Sequence, residues 1–245
     1  PTAGSAKIDG SNKVGAFSGS PSIAIKKLSA NTTAGFSIVR YTGTGSAGTI
    51  PHGLGATPEF IYVKNLDDDT KNWNLYPTVL GNTYLELNTT ASGFTGSSYF
   101  NNTAPTNSVF SVGTAGSTNA STDSFIAYVF HSVEGYSRYG VYEGNNNADG
   151  SYVYLGFRPR WFMFKDAANT NIEWNIYYDE GSPFNEMDDY LAAASTAAEA
   201  TNVSTRKLDF VSNGVKFRDA NAQNYNAKYV YMAFAKTPFK FANAR

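Results

Sequence analysis

The chain says one thing twice. "HGLGATPEFIYVKN" (His52–Asn65) and "YLGFRPRWFMFKD" (Tyr154–Asp166) each hold a Leu-Gly pair, a Pro, a short apolar burst and a Lys. Aligning Pro58 with Pro159 sets an offset of 159 − 58 = 101. The same offset joins Tyr41 to Tyr142, Gly43 to Gly144, Leu54 to Leu155 and Gly55 to Gly156. It also joins Lys64 to Lys165, Trp73 to Trp174, Asn74 to Asn175 and Tyr76 to Tyr177. Elsewhere the register slips by a few residues, as insertions in loops allow. "SFIAYVFHS" (Ser124–Ser132) matches "KYVYMAFAK" (Lys228–Lys236) at an offset of 104, and "GFSIVRY" at Gly35 matches "GYSRYGVY" at Gly135 at 100. The reading is two tandem copies of one unit, residues 35–134 and 135–245. Such a period is too long for a solenoid and suits a β-sandwich, which takes about 100 residues.

Composition agrees with strands. Aromatics are 15% of the 245 residues, and Gly, Ser, Thr and Asn fill much of the remainder, a mixture that favours strands joined by turns. "FSIVRY" and "YGVY" open the two units as strands. "EFIYVKN" and "RWFMFKD" are apolar on both alternating sets, which predicts strands buried on both faces. "WNLYP" and "WNIYY" alternate with period two, with Trp73 and Leu75 on one face and Asn74 and Tyr76 on the other. "DDYLAAASTAAEA" is rich in the best helix former, but its counterpart "NTYLELNTTASG" reads as a strand running into a loop. A short strand at Tyr190–Ala192, then a loop or one helical turn, is therefore expected. "LDFVSNGVKFRD" predicts two strands about an Asn213–Gly214 turn. Each unit closes on its most apolar strand, at 125–130 and 229–234. Residues 1–34 show little periodicity beyond "SIAIKKL" (Ser22–Leu28), which could form one strand, and read as a linker or the end of an upstream domain. The expected fold class is all-β: two homologous, jelly-roll-like β-sandwich units behind a short linker.

Several functions are disfavoured from the start. Net charge is −1 and charged residues are 16%, with no basic stripe for nucleic acid and no basic amphipathic helix for a membrane surface. No apolar run reaches the length of a membrane span. There are no cysteines, which removes disulfides and thiolate metal sites. The chain starts at Pro, so the sequence is expected to begin inside a longer or processed chain.

Catalytic patterns are sparse. His52 and His131 lie in different strands, and no G-x-S-x-G surrounds any Ser. Both histidines read as groups at strand ends or facing a neighbouring chain. Two carboxylates for glycoside hydrolysis would come from Glu134, Glu143, Asp179, Glu180, Glu186, Asp188 or Asp189, most of them in turn-like segments. Asp67-Asp68-Asp69 supplies oxygen ligands for a hard cation, but without EF-hand spacing it reads as a solvated turn. Trp73, Trp161 and Trp174 sit in apolar or alternating strands and read as core. The Tyr-, Asn-, Ser- and Gly-rich loops are better suited to function, since such residues give rigid contact area and adaptable hydrogen bonds. Strand bookkeeping places loops 43–48 and 65–72 at one end of the first unit, and 144–150 and 166–172 at one end of the second. The expected ligand-binding residues are Asn65, Asp67 and Asp69, with Asn145, Asn146, Asn147 and Asp149. No catalytic residue, metal or cofactor is expected.

"GFSIVRYTGTGSAGTIPHGLGATPEFIYVKN", "LNTT", "NNTAPTNSVFSVG", "GYSRYGVYEGNNNADGSYVYLGFRPRWFMFK", "AAEAT", "FVSNGVKFRD" and the closing "PFKFANAR" resemble a duplicated β-rich domain. That domain lies at the C-terminal end of tail-fibre-like virion proteins of marine bacteriophages. The likeness covers roughly residues 34–245. It implies a structural protein on the extracellular surface of a phage particle, adhesive rather than enzymatic, ending naturally at "FANAR". The implied partners are other copies of the chain (a trimer would bury sheet edges), other virion proteins, and a host cell-surface glycan or protein, with neither nucleic acid nor membrane insertion. The alternatives are a capsid or tail decoration protein that binds another virion protein, and, with least support from the residues, an envelope-glycan depolymerase.

Overall fold

The computed structural model describes residues 5–238. The protein is all-β, built from several sheets. Its contacts divide it into two compact units. The first runs to Leu87 and resumes over Phe94–Ser132; the second takes Asn88–Gly93 and Val133 onward.

The first unit holds β1 (Ala6–Ile8), β2 (Ser11–Asn12), β3 (Ile25–Asn31), β4 (Phe36–Thr42), β5 (Gly48–Pro51) and β6 (Phe60–Asn65). After these come β7 (Asn74–Pro77), β8 (Thr83–Glu86), β9 (Phe94–Thr95), β10 (Val109–Val112) and β11 (Ser124–Phe130). Its large sheet has the order β2-β1-β3-β4-β11-β6-β7-β8-β9, and β10 pairs with β5 in a second sheet. β11 alternates, so Phe125, Ala127 and Val129 face the core. Opposite them, Ile50, Phe110 and Val112 come from the small sheet into the same core, which makes the unit sandwich-like.

The second unit holds β12 (Ser137–Glu143), β13 (Tyr152–Tyr154), β14 (Pro159–Asp166), β15 (Asn175–Tyr178) and β16 (Leu191–Ala192), then β17 (Leu208–Val211), β18 (Gly214–Phe217) and β19 (Lys228–Ala235). One sheet has the order β12-β19-β14-β15-β16 and the other β13-β18-β17. Phe162, Phe164, Tyr177 and Tyr229 from the first sheet meet Val153, Phe210, Val215 and Phe217 from the second. The first unit's order β4-β11-β6-β7-β8 and the second's β12-β19-β14-β15-β16 follow the same chain sequence, and the β5–β10 pair has its counterpart in β13–β18. The strands expected to be buried on both faces are so: all of β6 but the half-buried Lys64, and β14 from Phe162 onward.

Three expectations need correction. The segment read as a linker is part of the first unit. β3 starts at Ile25, not Ser22, and pairs antiparallel with β4, placing Leu28 beside Val39. β1 adds to β3 in parallel, and Ala6, Ile23, Leu28 and Ala30 join the core. Small residues hid this strand, because a close-packed sheet needs few large side chains at its margin. The β17–β18 hairpin turns at Ser212–Asn213, since Val211 pairs with Gly214. Gly214 is a strand residue, and a Cβ there would stand 2.1 Å from the Val153 carbonyl. Glycine lets β13 approach. After β16, residues 193–200 form turns and a bridge, the loop of the two expectations for that segment. Finally, Trp174 is fully buried, but Trp73 and Trp161 are only partly so. Trp73 stacks on Tyr128 and Trp161 packs at a tilt against Phe234, outside their units' core clusters.

Candidate functional site

Loops 43–48 and 144–150 are each gripped by one buried asparagine. Asn119 accepts from Thr44 N at 2.8 Å through Oδ1 and donates through Nδ2 to the carbonyls of Ser46 and Gly113, both at 2.7 Å. Its own carbonyl accepts from Gly45 N at 2.8 Å. Asn224 does the same work in the second unit. Its Oδ1 accepts from Asn145 N at 3.1 Å, its Nδ2 donates to Asn147 O at 2.9 Å and Asp219 O at 2.8 Å, and its carbonyl accepts from Asn146 N at 2.6 Å. A carboxamide can do this because it carries donors and an acceptor on one rigid plane. Both side chains are fully buried, so each bond is made away from competing water.

The neighbouring bonds recur in the same way. Tyr41 donates to Thr118 O at 2.5 Å and Tyr142 to Gln223 O at 2.7 Å. Lys64 donates to Lys71 O and Lys165 to Ile172 O, each closing the loop after its strand. Asn65 Oδ1 accepts from the amides of Asp67 and Asp68, and Asp166 Oδ1 from those of Ala168 and Asn169. Gly43 and Gly144 lie where a Cβ would meet a backbone carbonyl at 2.0 and 1.9 Å. The residues of the two loops and their leading strands differ by 101 in number, while Thr118 and Asn119 differ from Gln223 and Asn224 by 105 and Gly113 differs from Asp219 by 106.

The expected ends are real. Asn65 Nδ2 and Gly43 N both reach Asp123, at 2.8 Å each. In the second unit Gly144 N reaches Ala227 O and Ala167 N reaches the adjacent Lys228 O, both at 2.9 Å. The individual residues divide by role. Asn65 is buried and fully engaged within its turn and with Gly116 and Asp123. Asp67 accepts from Ser124 N at 2.7 Å. Asp69 is exposed. Asn145, Asn146, Asn147 and Asp149 are exposed in residue terms. Asn145 donates to Asp149 O and Asn147 accepts from Asp149 N, while the Asp149 carboxylate pairs with Lys216 at 2.6 Å. Lys216 holds the Asp149 carboxyl below its ordinary range, first through their hydrogen bond and then through its charge. The loops therefore present a fixed relief rather than free side chains. Asn119, Asn224, Gln223 and Asp219 were not singled out by sequence reasoning. The signal was available: an identical Asn stands four or five residues before each closing strand.

The buried titratable groups have structural work. His52 is fully buried; Nδ1 accepts from Leu54 N at 3.3 Å, leaving Nε2 to donate to Thr106 O at 3.2 Å. Burial lowers its pKa to about 4, so it is neutral near pH 7. Burial likewise lowers Lys165 to about 8, against the opposing charges of Asp166 and Glu173. Desolvation pushes the Tyr41, Tyr142 and Tyr177 hydroxyls well above the usual tyrosine range. Among the described residues, no group of three His, Cys, Asp or Glu side chains is arranged for a metal ion, and no helix is long and apolar enough to cross a membrane.

A family model described as "Domain of unknown function (DUF7483)" matches residues 9–238. The chain belongs to the DUF7483 family. The match spans both units and starts at residue 9, after β1 and upstream of the first repeat, so it takes in β2 and β3. No curated protein and no solved structure matches the chain.

Proposed function

We propose that the chain is two tandem copies of one β-sandwich module and forms the distal part of a phage tail fibre or similar appendage. It binds the host cell surface, a glycan or an outer-membrane protein, through the loops at the Asn119 and Asn224 ends of the units. The observation that supports this reading most is the recurrence of the asparagine-locked loop in both units, bond for bond. A loop ordered before it meets a partner loses less conformational entropy on binding, and a polar Asn- and Gly-rich relief on a sandwich end is how other adhesive folds present contacts. The proposed virion setting rests on the resemblance of residues 34–245 to tail-fibre-like virion proteins.

The test is cell binding. Fluorescently labelled protein, carrying residues 1–245, is incubated with a panel of marine bacteria. Saturable binding to some strains, lost when residues 145–149 are replaced by a Gly-Ser run of equal length, supports the reading. Absence of binding to every strain, with the protein instead decorating phage capsids, favours the alternative of a decoration protein.

A further inference from the structure

The second unit carries a cavity of about 320 Å³ on one face of β14-β15-β16, near the lower end of the range for small-ligand sites. Two cross-strand pairs form its floor. Trp161 lies opposite Tyr178, and Ile176 opposite Leu191. Leu191 is 37% exposed. At the rim stand Arg160, Asp179 and Glu180. Arg160 is the extra residue where the β14–β19 register shifts between Pro159 and Trp161. Such a bulge re-aims a side chain, and here Arg160 turns to Glu180, with which it pairs.

Asp179 is the telling residue. It is 8% exposed. Oδ2 pairs with Lys236 at 2.8 Å. Oδ1 has no hydrogen bond among the described residues; Arg160 Nε stands 3.9 Å from it, on a side chain that is half exposed and able to turn. A buried carboxylate oxygen without a donor costs free energy and calls for an explanation. Oδ1 is closed to solvent as it stands; a hydroxyl arriving in the cavity would supply the donor when the half-exposed Arg160 side chain turns aside.

The first unit shows what the fold alone demands. At the offset of 101 the same backbone bond is made, Thr78 N to Glu59 O at 2.8 Å against Asp179 N to Arg160 O at 2.9 Å. The side chains differ throughout: Glu59, Phe60, Pro77, Thr78 and Val79 replace Arg160, Trp161, Tyr178, Asp179 and Glu180. Phe60 is fully buried, and the Thr78 hydroxyl is spent on the Pro58 and Glu59 carbonyls. The scaffold repeats while the chemistry of the cavity belongs to one copy.

We infer that this cavity is a saccharide subsite, taking one pyranose ring of a neutral glycan. The ring's C–H face lies on Trp161 and Tyr178, and its hydroxyls donate to Asp179 and Glu180 and accept from Arg160. Against the cations Arg160 and Lys236 stand the carboxylates of Asp179, Glu180 and Glu199, the last accepting from the Tyr178 hydroxyl at 2.6 Å, so the site is mildly acidic and a neutral polyol suits it better than an anion. Aromatic faces beside convergent polar groups are the general make-up of such pockets. This inference deepens the adhesive reading above and rests on it for its biological setting.

The probes are the methyl glycosides of glucose, galactose and N-acetylglucosamine, titrated into the full chain and followed by the Trp161 indole N–H resonance, assigned with Trp161→Phe. The expected result is a saturable shift with at least one glycoside in the millimolar range, weak binding being normal for one sugar ring. Leu191→Arg, an exposed substitution that fills the cavity, and Asp179→Asn are each expected to weaken it about tenfold or more. Lack of any saturable shift, a shift unchanged in Leu191→Arg, or tighter binding of inorganic phosphate than of every glycoside overturns the inference. Cell binding measured alongside separates the two ideas. Wild-type protein that binds cells but shifts with no glycoside sinks the subsite and leaves the adhesive reading. Protein that binds a glycoside but no cell leaves the subsite and sinks that reading.

Discussion

The Tyr142 hydroxyl donates to the backbone carbonyl of Gln223 at 2.7 Å, with no exposed surface near the bond. Tyr142 sits on β12 and Gln223 lies just before β19, so the bond fastens the loop ahead of the closing strand to its neighbour. Tyr142→Phe keeps the ring packed on Tyr229 at 4.7 Å and strands a buried carbonyl. The expected loss is about 1–3 kcal/mol, measured by urea denaturation. Tyr41→Phe is expected to cost a similar amount through Thr118 O.

Replacing Asn224 by Asp keeps the shape and removes both donors, turning a carboxylate toward the Asn147 and Asp219 carbonyls. Amides of residues 145–149 are expected to exchange with deuterium at least about tenfold faster, a change of roughly 1.4 kcal/mol in local opening. Asn119→Asp is expected to do the same to residues 44–46. Unchanged exchange at those amides in both variants would mean the asparagines are not what orders the loops.

His52 titrates against the fold. Its folded pKa of about 4 lies below the ordinary 6.5, so between these values the unfolded chain binds a proton that the folded one refuses. Stability is therefore whole above pH 6.5 and falls as the pH drops toward 4, by about 3 kcal/mol from this group. Denaturation midpoints from pH 7 to 4 are expected to fall more steeply in the wild type than in His52→Gln.

Lys165 acts at the other end of the scale. With a folded pKa of about 8 against 10.5, it gives up its proton in the fold before it does so in the unfolded chain, so stability rises from this group as the pH climbs from 8 toward 10.5. The buried hydroxyls of Tyr142 and Tyr177, raised well above 10.0 by desolvation, have the opposite effect once unfolded tyrosines ionise. The wild type is expected to gain over Lys165→Met between pH 8 and 10, as followed by thermal denaturation.

Gly144→Ala places a methyl group against the Tyr225 carbonyl, 1.9 Å away. Backbone cannot yield there without breaking the Gly144 N to Ala227 O bond. The variant is expected to lose several kcal/mol, and Gly55→Ala, where nothing stands within 4 Å, to lose less, through its positive φ of 72° alone.

The strands were legible because burial imposes period two or an unbroken apolar run, as "EFIYVKN" and "RWFMFKD" display. β3 was announced three residues early by "SIAIKKL", but β1 and β2 were not legible, because Ala6 and its Ser and Lys neighbours carry little hydropathic contrast. The NG dipeptide at 213–214 misled by one position: glycine was required by the approach of Val153, and no local pattern records a contact from sixty residues away. The loop asparagines escaped for the same reason. Asn145, Asn146 and Asn147 attract notice as a run, whereas Asn224, which holds them, stands 77 positions beyond Asn147 within "NAQNYNA". Arg160 and Asp179 are nineteen positions apart, and only the bulge and the strand pairing bring them to one rim.

β19 lies between β12 and β14, and β11 between β4 and β6, so each unit's last strand in the chain fills the middle of its sheet. A nascent polypeptide leaving the ribosome has nothing to hold β12 against β14 until Lys228–Ala235 has been made. Any truncation or premature stop upstream of that segment would expose two raw strand edges, ready to recruit other chains. Such products are expected in inclusion bodies, because synthesis past Ala235 is what closes the second unit's sheet.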